Sequence, residues 1–278
     1  MPSSALRGDV VNPVNPALFS STEYVLYRYG YPLKVFESLR PFFTAQESPG
    51  PLRVLDLGCG TGLVSRSFLN AFPIPLELHL VDVDPQMLEE ARKEFMGDQR
   101  VKSVIAAPSE SIPHADASFD LVMVGSAWHW MRQPESVNEV DRLLVPGGGV
   151  HIFEYQFPRS VDCPELNEWI RTQFNTLWKP ATQVPRGTLT KLTECWRGHH
   201  RYSQVASLSM TDERLHDAEE LVGVIASQSR YQHYEQSLPL ADRSMKRLEL
   251  KRSLMKWMGE SAGRFSYPHE GYLFKKRQ

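Results

Sequence analysis

Little in this chain of 278 residues is in excess, and its scarcities narrow its chemistry first. There are three cysteines, Cys59, Cys163 and Cys195, with neither paired nor metal-type spacing. A disulfide scaffold is therefore not expected, and a reducing, cytosolic compartment is. No apolar run approaches the length of a bilayer span, and Met1 to Asn15 lacks the basic-then-apolar layout of a secretion signal. These absences predict a soluble, unprocessed, cytoplasmic protein with no membrane partner. A net charge of -2 offers no general electrostatic hold on nucleic acid. Lys275-Lys276-Arg277 reads as the solvated end of a strand. Internal repeats and low-complexity tracts are missing. His199 and His200 near Cys195 match no closed zinc spacing, so no metal is expected.

What is present is concentrated between Val54 and Gly62, which reads Val-Leu-Asp-Leu-Gly-Cys-Gly-Thr-Gly. Val54, Leu55 and Leu57 have the apolar run of a buried parallel strand. Gly58, Gly60 and Gly62 then strip the turn of side chains, so that the backbone can bend and approach a ligand closely. Leu63, Val64, Phe68, Leu69 and Phe72 follow at helical spacing, and a second apolar run, Leu76 to Val81, ends in Asp82. A dinucleotide turn would need glycine at the sixth position of the motif, where Leu63 stands. Asp56 ahead of the glycines would repel a pyrophosphate but suits a ligand carrying ammonium and sulfonium charges, as S-adenosylmethionine (SAM) does.

With these residues the chain resembles the class I SAM-dependent methyltransferases. Asp56, Gly58, Gly60 and Gly62 meet that family's Asp/Glu-x-Gly-x-Gly-x-Gly pattern, and Val81-Asp82-Val83-Asp84-Pro85 is similar to its second motif. Ser118-Phe119-Asp120-Leu121-Val122 and Arg142 to Gly148 resemble the approaches to strands four and five. Ala127-Trp128-His129-Trp130 and Tyr24-x-x-x-Arg28-x-x-Tyr31-Pro32 resemble the branch that includes trans-aconitate methyltransferases, with Tyr29 where proline is usual.

Alternation from Leu52 to Tyr155 predicts strands at 52–57, 77–82, 101–105, 119–124 and 149–155, with helices near 61–72, 85–95 and 134–144. That order implies an α/β fold, a doubly wound, Rossmann-like, mostly parallel sheet. The resemblance makes it seven-stranded with an antiparallel last strand. Residues 1–50 are expected to form a helical lid, with an amphipathic helix from Pro32 to Phe43 and a Ser48-Pro49-Gly50-Pro51 linker. Residues 51–155 are the SAM-binding core, 156–203 a helical insertion covering the substrate, and 204–278 complete the sheet. In that last part a strand at 205–210, helices near 212–228 and 240–258, and a strand at 263–276 are expected.

The resemblance implies SAM as cofactor. Gly58, Gly60, Thr61 and the start of the next helix would hold the methionine end. Asp82 would take the ribose hydroxyls, since a carboxylate closing an apolar strand needs hydrogen-bond partners; Asp84 before Pro85 already fits the helix N-cap. Val83 and Met87 would flank the adenine. Pro108 stands where many relatives carry an acid, which leaves backbone groups around Ala107 to Ser109, or Glu110, to meet the adenine amine. Tyr24 and Arg28 belong to the lid closing over SAM. His129 is the candidate general base.

Tyr31, Trp128, Trp130, Trp169 and Trp178 are expected to line the acceptor pocket. They favour a bulky apolar or aromatic, natural-product-like metabolite methylated at C, N or O. A carboxylate acceptor of the trans-aconitate type, served by Arg28, Arg132 or Arg159, is the alternative. A SAM-binding pseudo-enzyme acting as a partner protein is a third reading, and methylation of protein or RNA is disfavoured. Self-association is left open.

Overall fold

The computed structural model describes residues 21–43, 50–178 and 187–278. The two Asn-Pro pairs, Phe19, Ser48-Pro49, Pro180 and Pro185 lie outside the described residues.

α1 (Ser21–Tyr27) and a single turn, α2 (Lys34–Glu37), precede β1 (Leu52–Leu57). The helix expected from Pro32 to Phe43 is broken: after α2 the chain tightens into a 3-10 turn at Arg40–Phe42. Pro41 explains the break, because it has no N–H to give to a continuing α-helix.

Strands and helices then alternate through α3 (Leu63–Ala71), β2 (Leu76–Asp82), α4 (Pro85–Glu94), β3 (Val101–Ala106), β4 (Phe119–Gly125), α5 (Gln133–Leu143) and β5 (Leu144–Tyr155). β5 starts five residues before its expected first residue. Leu144 pairs with Phe119, and a register shift then brings Gly149 opposite Leu121. β6 (Arg159–Ser160), α6 (Pro164–Asn175), α7 (Leu189–Leu192) and α8 (Glu194–Arg197) follow, then β7 (Tyr202–His216), α9 (Ala218–Ala226), α10 (Ser229–Gln236), α11 (Leu240–Met258) and β8 (Gly263–Lys276).

The sheet runs β3-β2-β1-β4-β5-β8-β6, with β7 also paired to β8. β1 pairs in parallel with both β2 and β4, so strand order reverses between β1 and β4. A ligand crevice is expected beyond the carboxyl ends there. β8 enters antiparallel beside β5, as the resemblance implies. Eight strands are formed instead of seven, the extra one being the two-residue β6 held on β8.

Period-two patterning divides the sheet's side chains between two cores. Val54, Leu78, Leu80, Leu121 and Met123 meet Phe36, Phe68 and Leu88 on one face. Leu55, Leu57, Val122, Val124 and Ile152 meet Val137, Val140, Leu189 and Trp196 on the other. A third cluster gathers Leu166, Ile170, Leu221, Ile225, Leu250 and Leu254 around Phe265 and Tyr267.

Two expectations about the second half are corrected. The helix expected from residue 212 begins only at Ala218, because β7 stays paired with β8 from Tyr202↔Lys276 to His216↔Gly263. Asp217 then starts α9 with a capping box to Glu220. The 156–203 segment is not one cap: α6 joins the third cluster, whereas Leu189 of α7 and Trp196 of α8 pack on the opposite sheet face with α5.

Candidate functional site

β1, β2 and β4 deliver their carboxyl ends to one place, and the turn after β1 is its floor. Gly58, Gly60 and Gly62 all have positive φ, at 73°, 54° and 87°. At Gly58 a Cβ would lie 2.6 Å from the Cβ of Ala127, and at Gly62 it would overlap the Phe95 ring. These two glycines are required by packing as well as by conformation. Gly60 differs, for a Cβ there would meet nothing within 4 Å. The middle of the turn therefore faces open space, with Thr61 buried beside it and its Oγ1 unpartnered among the described residues.

Two carboxylates brace the turn. Asp82 closes β2 and accepts from the Gly60 N–H at 2.7 Å and the Asp84 N–H at 2.9 Å, which fixes the turn against the strand end. Burial raises its pKa against those hydrogen bonds. Asp84 caps α4 by accepting from Gln86 N–H, ahead of Pro85 at the first helical position, as expected. Asp56 is wholly buried under the turn, where Oδ2 accepts from the Ser65 hydroxyl at 2.6 Å and Oδ1 has no partner among the described residues. Burial pushes its carboxyl up to about 7, against the pull of Ser65 and with a further push from Asp82. Beside Asp82, Val83 is half exposed and Met87 is buried.

The N-terminal residues Tyr24, Tyr27 and Arg28 reach the site from the far side. α1 touches both α4 and α9. Burial pushes the Tyr24 phenol up to about 12; Arg28 pulls it down, and Tyr155, Asp82 and Asp56 add to the rise. Arg28 donates to the Tyr155 hydroxyl at 2.9 Å, to Ser227 O at 3.3 Å and to Gln228 Oε1 at 3.1 Å, and its guanidinium stands 5.1 Å from the Tyr24 ring centre. Its Nε is buried without a partner among the described residues, and none of these three acceptors is a carboxylate. At Gly223 of α9 an added Cβ would overlap the Tyr27 ring, so a bare stretch of helix receives that ring.

Ser126 follows β4 with φ 53°, a conformation that costs a non-glycine residue about 1 kcal/mol or more. Its hydroxyl accepts from Tyr31 at 2.8 Å, and the Tyr31 main chain is held by Ser67 at 2.9 Å. Tyr31 also stands edge-on to Tyr155 at 5.4 Å and to His269 at 6.2 Å. His129 and Trp130 sit on the turn after β4 with ring centres 4.8 Å apart, and Trp130 is 37% exposed. Pro108 is exposed after β3, while the Ser109 hydroxyl is turned to Ser136 of α5 at 2.8 Å.

Three of the tryptophans expected around an acceptor stand elsewhere. Trp128 is buried in the α5 face, donates to Leu192 O at 2.9 Å and packs on Trp196. Trp178 is buried against Phe174 and Tyr231 in the third cluster. Trp169 lines a cleft of about 280 Å³ with Ser253, Lys256 and Trp257 of α11. Large apolar surface drives Trp128 and Trp178 into the nearest core and Trp169 against the third cluster, and sequence order did not reveal which core each would meet.

The arrangement also contains residues not expected from the sequence: Ser65, Ser126, Tyr155, Ser227, Gln228 and His269. Ser65, at the helical position facing back to Asp56, was readable from its spacing. Tyr155 and Gln228 carry no local signal.

Sequence and structure comparisons find relatives of this chain. The profile of a methyltransferase domain family matches residues 54–148. An uncharacterised methyltransferase of Schizosaccharomyces pombe is 30% identical over 62% of this chain and 67% of its own length. A malonyl-[acyl-carrier protein] O-methyltransferase of Halorhodospira halophila is 37% identical, but over only 36% of this chain and 34% of its own length. Among solved structures, a provisionally assigned type II methyltransferase of Anaeromyxobacter dehalogenans superposes with a TM-score of 0.63 at 20% identity, covering 89% of this chain and 97% of that one. Phosphoethanolamine N-methyltransferase 2 of Haemonchus contortus, solved with S-adenosylhomocysteine, gives 0.53 at 16% identity over 93% of this chain and 57% of that one. Among the described residues, no helix is long and apolar enough to cross a membrane.

Proposed function

The chain belongs to the class I SAM-dependent methyltransferases, and on that premise we propose that it methylates a small, ring-bearing apolar or aromatic metabolite held between the lid and the ends of β4 and β5. The observation that carries this reading is the aromatic layer of Tyr31, Tyr155 and His269, with ring centres 5.4 to 6.2 Å apart, anchored to Ser126 beside the cofactor turn. Such faces favour flat acceptors, and the two phenol hydroxyls are already engaged, Tyr31 with Ser126 and Tyr155 with Arg28.

The residues present fit SAM. The open side of Gly60, the unpartnered Thr61 Oγ1 and Asp56 Oδ1, and the buried Arg28 Nε supply unused space, acceptors and donors on one perimeter. In this reading Gly58, Gly60 and Thr61 hold the methionine end, with Arg28 answering its carboxylate and Asp56 its ammonium group. Asp82 keeps lone pairs for the ribose hydroxyls, Val83 and Met87 flank the adenine, and the main chain at Pro108 and Ser109 meets the adenine edge. Tyr24 closes the roof.

SAM supplies a methyl group on a positively charged sulfur, open to in-line displacement. The chain's task is alignment and exclusion of water. His129, on the turn after β4, takes the proton from an oxygen or nitrogen acceptor in this reading. Trp130 forms the rim.

A second reading, transfer to a carboxylate oxygen, is supported by Arg28, which has no carboxylate partner among its contacts, and by the partial likeness to malonyl-[acyl-carrier protein] O-methyltransferases. The two separate on Arg28→Ala. With methyl-labelled SAM and a metabolite panel, the first reading expects label in ring-bearing acceptors and a roughly tenfold or greater loss of SAM affinity, with acceptor KM little changed. Label confined to carboxylate esters, with the loss falling on acceptor KM, would overturn it. Tight SAM binding with no turnover on any acceptor would favour the pseudo-enzyme reading instead.

A further inference from the structure

α11 is attached to the protein by one face. Leu250 and Leu254 are buried, Arg247 holds Glu235 at 2.5 Å, and Lys251 holds Glu219 at 2.6 Å. Arg243 donates to the carbonyls of Gln236 and Leu238. The opposite face carries Ala241, Met245, Leu248, Arg252 and Met255, all exposed, with Met245 at 60% and Leu248 at 45%. Their spacing of four, three, four and three is that of the d and a positions of a heptad. The helix already has its inward stripe, so this second seam serves nothing within the described fold.

We propose that α11 pairs with α11 of a second copy of this chain, antiparallel, about a two-fold axis at Leu248. The flanking charges choose both partner and direction. Antiparallel pairing sets Leu248 on the second copy's Leu248, Ala241 on its Met255, and Met245 on the aliphatic stem of its Arg252. It also sets Asp242 within two residues, about 3 Å along the helix, of the second copy's Lys256, twice by symmetry. Parallel pairing would put Arg252 against Arg252 within the seam and Lys251 against Lys256 beside it, like charges in both places. An acidic helix from another protein would answer Arg252 and Lys256 but oppose Asp242 and Glu249 on the same face. An anionic lipid surface meets the same two carboxylates. Asp242, Arg252 and Lys256 have no ion-pair partner among the described residues, so they are available for these contacts.

Sedimentation equilibrium of the full chain tests the pairing. The unaltered protein is expected to dimerise reversibly. Leu248→Glu, which sets two charges on the axis, should leave monomer with an unchanged melting curve. Asp242→Lys and Lys256→Asp should each weaken the dimer about tenfold, and the double variant should regain it. The double variant guards against misfolding, since damage to the helix would not be repaired by a second substitution. A chain that is monomeric throughout, a dimer indifferent to Leu248→Glu, or a folded double variant that stays monomeric would each overturn the proposal. So would seam variants that release the monomeric chain from anionic vesicles, which would assign the face to lipid.

Discussion

On one side of the site, Ser65 reaches Asp56 across nine positions of sequence and Gly60 reaches Asp82 across 22. On the other, Arg28 reaches Tyr155 across 127 positions and Gln228 across 200. The near wall is a single β1-α3-β2 unit whose turn is locked by packing at Gly58 and Gly62. The far wall exists only once the lid, the end of β5 and the end of α9 have come together from three parts of the chain. Local contacts of the first kind are expected to stay with the fold, and contacts of the second kind to open first. A methyltransferase needs both, a fixed seat for the cofactor and a cover that admits it.

Breaking the near wall should have the largest effect. Gly62→Ala combines a left-handed backbone with an overlap on the Phe95 ring, and is expected to cost about 2–4 kcal/mol of folding stability, read by chemical denaturation. Cofactor binding should fall with it. A loss below about 0.5 kcal/mol would mean that the turn yields more easily than its packing implies.

The far wall should break differently. Gly223→Ala improves helix propensity within α9 yet places a methyl where the Tyr27 ring lies. The melting temperature is expected to hold or rise slightly, while kcat/KM falls about tenfold because the lid no longer seats. Parallel loss of stability and activity would erase the distinction between the two walls.

The smallest effect sharpens the comparison by pH. Asp56 titrates in the folded chain at about 7, above the ordinary carboxylate value of 3.8. Proton binding therefore favours the folded state: its stabilisation is whole below the unfolded value and is lost as pH rises through the folded one. Across roughly pH 4 to 7 the ligand-free chain should melt at falling temperatures, levelling off above the folded value, and Asp56→Asn should flatten that fall. Identical slopes in the two proteins would trace the effect to some other group.

The same division governs what was legible in the sequence. The strand ends, the glycine turn, Asp82 at the end of β2 and Asp84 at the head of α4 were readable, because each depends on neighbours within a few dozen residues. The length of β7 was not, since its pairing partner begins at Gly263 and sets where the strand stops. Nor were the positions of Trp128 and Trp178, whose burial depends on which sheet face α8 or α10 covers. Pro41, which breaks the helix after α2, is a local signal legible in the sequence. Tyr155 became a partner of Arg28 only through the fold.

Gly223 has one more consequence. The contact of Tyr27 with α9 is made by leaving an atom out, so this part of the proposed latch, unlike the Arg28 hydrogen bonds beside it, has no charge for salt or pH to weaken. Homologous enzymes that carry alanine or serine in this notch would keep the same chemistry yet release their products at another tempo, which makes one missing methyl a setting for turnover that evolution can adjust without touching a single residue of the cofactor seat.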